Sequence, residues 1–272
     1  MTTLTVSRPA AGPARRVRAD LRRRGLFLLV RTASVAAFVL AWQWYGSRPD
    51  QYAVAPPTEV LPELYHGIVG GELLVALWGS LGFMLVGLAV ATVVGISLGV
   101  LIGSSEVADT TLTPLVNAGN MAPITLLIPI IGVYTGIDFW GKVFLVSAFA
   151  VFVILINTEA GVRAVTGALH ETAESFCVSQ RQLIQHVVLP ATTPYIATGL
   201  RLGIGRAFRG AIVADLLLAV ANLGEVLVTA GSTFNAPLLL AGILFTTIVG
   251  VVLMFIAELI ERRLTRWRPK AA

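Results

Sequence analysis

Cysteine is nearly absent from this 272-residue chain: Cys177 is its single thiol, accompanied by three histidines, His66, His170 and His186. One thiol closes no disulfide within a chain, and the histidines stand at no metal-ligand spacing, so neither a disulfide framework nor a histidine metal centre explains the fold. Charge is also scarce, at 13%, about half the soluble average. No Ser-His-Asp or paired-carboxylate arrangement can be drawn from the spacing, and the chain is expected not to be an enzyme. Residues 136–143, GIDFWGKV, carry the glycine and lysine spacing of a phosphate-binding loop. They lack its chemistry, because Val143 stands where Mg²⁺ needs a hydroxyl, the interior residues are bulky and no strand precedes them. The chain is therefore expected to bind no nucleotide, cofactor or metal of its own.

What is abundant is apolar chain. Hydrophobic residues make up 56% of the sequence and the mean hydropathy is +0.82, values that belong to an integral membrane protein. Runs long enough to cross a hydrocarbon layer of about 30 Å lie at residues 26–46, 75–103, 114–135, 141–160, 194–221 and 237–259. The runs are continuous rather than alternating, which favours helices over a barrel. The expected fold is an all-α membrane protein with six spans.

Basic residues gather in both tails, with eight arginines before or at the start of the first run and Arg262, Arg263, Arg266, Arg268 and Lys270 after the last. Both termini are expected in the cytoplasm, giving a basic arm over residues 1–25, a transmembrane domain over 26–260 and a basic tail over 261–272. The net charge of +5 then reflects an anionic inner leaflet, and no nucleic-acid partner is needed to explain it. Between the first two runs, Thr58 is the expected N-cap of a short outer interfacial helix containing Pro62. Gly95, Gly99 and Gly103 form a stripe on the second run that permits close approach of another helix, in this chain or in a second copy. The third run, interrupted by Asn117, Asn120, Pro123, Thr125 and Pro129, is expected to face protein or a pathway rather than lipid.

One polar stretch interrupts this plan, ETAESFCVSQRQLIQHVVLP at residues 171–190. Glu171, Thr172 and Ala173 come first, Cys177 stands six residues after the glutamate, and Leu189 and Pro190 close it. This pattern resembles the EAA loop of importer-type ABC transporter permeases, and the resemblance extends over residues 40–268 to the nitrate, taurine and alkanesulfonate uptake group. Thr172 replaces the usual alanine and Cys177 the usual glycine, where a left-handed bend would cost a non-glycine residue about 1 kcal/mol.

The resemblance implies a six-span type I importer transmembrane domain with a cytosolic coupling loop at residues 161–190, in the bacterial inner membrane. It implies two separate ATPase subunits that bind ATP and Mg²⁺, a second permease chain and an extracytoplasmic binding protein. Within the loop, Phe176 would offer an apolar anchor and Glu171 a charge for the ATPase. The solute would be a small anion such as nitrate, taurine, a sulfonate or a carboxylate.

Charged and polar groups inside the spans are costly, about 3 kcal/mol each at mid-bilayer. Asn120, Thr125, Asn157, Arg209 and Asp215 are accordingly the candidate pathway residues. Arg209 and Asp215 lie six residues apart, roughly 240° around a regular helix, so each is expected to find another partner. Asp215→Ala is expected to spare assembly and reduce transport. The alternatives from other classes are an ion-coupled carrier or channel using Arg209 and Asp215 directly, and a membrane scaffold whose loop recruits a partner.

Overall fold

The computed structural model describes residues 13–48, 54–175, 179–218 and 220–266. Ten α-helices and two π-helical turns follow one another among them: α1 (Pro13–Gly46), α2 (Pro57–Val69), α3 (Glu72–Ser104), α4 (Glu106–Met121), α5 (Ile124–Thr135), α6 (Phe139–Ser175), α7 (Gln180–Leu183), a π turn at Ile184–Val188, α8 (Leu189–Val213), a second π turn at Ala214–Leu218, α9 (Asn222–Ser232) and α10 (Ala236–Leu264).

The helix after the first apolar run begins at Pro57, one residue before the expected cap. Proline already holds the helical φ and lacks an N–H that would go unpaired there, so it takes the first helical position. Thr58 falls inside the first turn, where its hydroxyl accepts from Gln43 Nε2 at 3.1 Å. Val60 of α2 packs with Ala55, Ala236 and Ala241, docking α2 on the start of α10. Trp42 ties α1 to the same cluster, its indole N–H donating to the Ala55 carbonyl at 3.0 Å.

The third apolar run is not one straight helix. Ala122 precedes Pro123 and takes extended angles, φ −61° and ψ 130°, because the proline ring disfavours the helical conformation of its predecessor. The chain bends there by 99° between α4 and α5. Ser105 caps α4, accepting from the Ala108 N–H at 3.3 Å, so the helix starts at Glu106 rather than at the 114 expected from hydropathy. Among the described residues four helices are long and apolar enough to span alone, and up to six spans result if each bent pair counts as one.

Parallel α3 and α6, with α8 antiparallel to both, form the centre, where Met84, Ala91, Leu145, Val146, Ile154, Ala207 and Ala211 are buried together. The glycine stripe finds its partner within the chain, and that partner is α6. A Cβ at Gly95 would lie 3.0 Å from Ile154, one at Gly99 2.7 Å from the Leu155 carbonyl, and one at Gly103 2.7 Å from Val162. Contacts this close exclude side chains from the seam and let dispersion act between backbones. Gly99→Val is accordingly expected to cost about 1–3 kcal/mol through overpacking, read as a lowered thermal midpoint of the detergent-purified protein. Gly82→Ala, at a position with open space around it, serves as the control and is expected to leave the midpoint unchanged.

Two ends of the bundle follow from that packing. Ser80, Lys142, Asp215 and Asn222 meet at one, the Lys142 end; Arg163, Arg201 and Glu261 sit toward the other, the Arg163 end.

Candidate functional site

Residues 171–190 run from the last turns of α6 to the first turn of α8 at the Arg163 end. The backbone of Glu171, Thr172 and Ala173 is helical and continuous with α6. Phe176 and Cys177 lie outside the described residues. After them Ser179 and Gln182 close a reciprocal capping box: Ser179 Oγ accepts from the Gln182 N–H at 3.4 Å, and Gln182 Oε1 accepts from the Ser179 N–H at 3.1 Å. This arrangement satisfies donors at both ends of the first turn and so fixes where α7 begins. Leu183 and Val188 bury themselves against Val162 of α6, with Val100 of α3 alongside. The segment is thereby clamped to the two helices of the glycine seam. Leu189 is half-buried and Pro190 exposed in the first turn of α8, where proline costs no hydrogen bond.

Ion pairs fasten the helices beside this segment. Arg163 of α6 pairs with Asp109 of α4 and, at 2.7 Å, with Glu159. Arg201 of α8 pairs with Glu261 of α10 at 3.0 Å, and Thr198 donates to the same carboxylate at 2.7 Å.

The pathway candidates do not converge. Asn120 accepts from Arg206 at 3.3 Å, joining the end of α4 to α8. Asn157 donates to the Val153 carbonyl of its own helix at 2.7 Å and packs where α6 meets Gly199 of α8. Thr125 is exposed on the first turn of α5. Arg209 is exposed too, its Nε donating to the Gly205 carbonyl at 3.1 Å. It stands eight residues beyond Arg201, about 12 Å deeper along α8, over a 560 Å³ groove between α8 and α10 that also receives Phe208, Met254 and Glu258.

Asp215 is sealed in, with 0% of its surface exposed. Its carboxylate accepts from Lys142 Nζ at 2.8 Å, Ser80 Oγ at 2.5 Å and Asn222 Nδ2 at 3.2 Å. Lys142, 6% exposed, also lies 5.2 Å from the centre of the Phe83 ring. Four elements meet here, α3, α6, the second π turn and α9, which Asn222 opens with φ +51°. Gly224 lies so close that a Cβ would stand 2.3 Å from the Asp215 carbonyl. The lysine of the false phosphate loop thus turns inward to a carboxylate. A lone Lys at the start of the 141–160 run and a lone Asp toward the end of the 194–221 run, which returns in the opposite direction, were the available signal in the sequence. Removing the Asp215 carboxylate would strand Lys142, so Asp215→Ala is expected to damage folding, contrary to the reading from sequence alone.

The family of binding-protein-dependent transport system inner membrane components matches residues 91–266. The chain belongs to that family. Among curated relatives, the permease is 30% identical over 235 residues to the putative aliphatic sulfonates transport permease protein SsuC of Bacillus subtilis, covering 86% of this chain and 85% of the relative. It is 29% identical to the taurine transport system permease protein TauC of Escherichia coli, covering 78% and 79%. An inward-facing structure of the MetNI methionine ABC transporter superposes with a TM-score of 0.63 at 18% identity, covering 72% of the permease and 98% of that chain. At that identity the likeness speaks for the fold alone, and the fold is that of a type I importer. The permease is thus a multi-pass ABC importer subunit of the nitrate, taurine and sulfonate group.

Proposed function

We propose that this permease carries a small anion, of the sulfonate, taurine, nitrate or carboxylate kind, into the cell at the expense of ATP hydrolysed by two separate cytosolic subunits. The observation that supports the reading is the segment at residues 179–188, capped by Ser179 and Gln182 and packed through Leu183 and Val188 against α6 and α3, just before α8 begins. An ATPase dimer that closes on ATP can push on a segment so held, and Leu183 and Val188 would pass the push to α6 and α3. In this reading Glu171, Thr172, Ala173, Phe176, Cys177, Leu189 and Pro190 form the coupling surface. The Arg163 end and both termini are cytosolic, and the Lys142 end is outside, facing a solute-binding protein. Two copies of this chain enclose the pathway.

The solute class is supported by the sulfonate and taurine permeases that the chain resembles and by Arg209, a cation at mid-depth beside an open groove. Asn120 on α4 and Thr125 on α5, which lie away from that groove, would meet the solute at other points of its passage, and Asn157 would pack behind them. Asp215, enclosed by its ion pair, is assigned a structural place rather than contact with solute.

Gentle affinity purification from native membranes, with mass spectrometry of co-eluting subunits, tests the reading. The unaltered chain is expected to bring down an ABC ATPase, and Glu171→Arg to lose it. A chain that purifies without any ATPase, yet moves solute in vesicles, would favour the ion-coupled carrier.

A further inference from the structure

The end of α6 that bears Glu171 and the end that bears Lys142 belong to one helix. It runs 37 residues without interruption, about 55 Å at 1.5 Å per residue, and contains no proline between Phe139 and Ser175. Its flank is sealed to α3 by the glycine seam. Such a helix moves as a rod. At its far end the Lys142 ammonium, 6% exposed, holds the Asp215 carboxylate, 0% exposed, at 2.8 Å. Asp215 in turn holds the opening of α9, through the Asn222 amide at 3.2 Å and through the close seat of Gly224.

Parting the pair would leave two opposite charges buried and unmatched, a far larger penalty than sliding apolar surfaces past each other. Meanwhile α8 reaches Asp215 through a π turn, Ala214–Leu218, a break in regular winding of the kind that recurs at functional sites. A buried ion pair adds little stability over apolar residues of the same volume, so what it does supply is fixed position.

We infer that the Lys142–Asp215 pair is the joint by which α6 carries motion from the coupling segment to α9 at the opposite face. Lys142 and Asp215 are positioning residues: neither meets solute, and both act through α9. The inference rests on the ATPase-coupling reading above and adds the route by which the stroke crosses the membrane.

The test uses the complex purified with its ATPase subunits and reconstituted in liposomes. Thr229→Cys places a reporter on the exposed face of α9, and the labelling of the native Cys177, measured in the chain without that change, is subtracted. In this parent, the maleimide labelling rate at position 229 is expected to differ between the nucleotide-free and the vanadate-trapped complex. The Lys142→Met/Asp215→Leu pair replaces both charges with apolar side chains, leaving Ser80 its second partner, the Ala76 carbonyl at 3.2 Å.

With both charges gone, ATP hydrolysis is expected to stay within about twofold of the parent while the nucleotide-dependent difference in labelling falls about tenfold, within the usual range of coupling between sites. The exchanged pair, Lys142→Asp/Asp215→Lys, is expected to recover part of the difference. An undiminished labelling difference in the apolar pair would overturn the inference, as would a fall in hydrolysis by the same factor as the labelling difference, which marks a merely structural role. A parent with active ATPase but no labelling difference also overturns it and leaves the coupling reading intact; a parent without any associated ATPase sinks both.

Discussion

Lys142→Met alone is expected to remove most folded permease from the membrane. The carboxylate of Asp215 would keep Ser80 and Asn222 as partners but lose the one positive charge that balances it in a site with no exposure. Breaking a buried pair from one side costs about 3–5 kcal/mol, a large part of the 5–15 kcal/mol by which a domain is usually stable. Asp215→Leu alone strands the ammonium and is expected to do the same. Membrane yield and thermal midpoint after purification check both. The discriminating result is non-additivity: the apolar double replacement is expected to recover yield that either single one loses, as residues in direct contact do. Equal yields for all three variants would mean that the pair holds nothing in place.

Arg209→Gln carries the second large effect, on transport rather than folding. Its guanidinium is exposed, and its Nε reaches only the backbone carbonyl one turn earlier among the described residues. Little in the fold should therefore depend on it. If an oxyanion meets it in passage, losing a charge-assisted hydrogen bond worth about 1.5–3 kcal/mol lowers uptake roughly 10- to 150-fold. Labelled taurine and nitrate are the first solutes to try. Membrane yield and ATPase association are expected to be unchanged. Arg209→Lys, which keeps the charge and loses the planar fork, should fall between. Wild-type uptake of an anionic solute by Arg209→Gln would remove this residue from the route.

The apolar runs were legible because a membrane span is a matter of local length and hydropathy, and the structure's long helices α3, α6 and α10 overlap the runs read from sequence. The glycine stripe on α3 was legible as a contact surface for the same reason. What it touches was not, since Gly99 and Leu155 are brought together by tertiary packing alone. Pro123 announced a disturbance, yet nothing local gives the 99° angle between α4 and α5, which depends on what each half packs against. The polar residues were the least legible. Arg209 and Asp215 drew notice as neighbours on one run, whereas Asp215 pairs with Lys142, 73 residues away. The π turn at Ala214–Leu218 also spoils the regular angular count on which the Arg209–Asp215 geometry rested.

The glycine seam sets a schedule for the making of this protein. Gly95, Gly99 and Gly103 leave the ribosome about 60 residues ahead of Ile154, Leu155 and Val162, the residues that fill the space beside them. At 5–20 residues per second that gap lasts roughly 3–12 seconds. During it α3 stands in the bilayer with a bare backbone groove, able to accept any narrow helix from a neighbouring nascent chain. Slow codons between the two segments would lengthen that exposure, and whatever insertion machinery shelters α3 must hold it until α6 arrives.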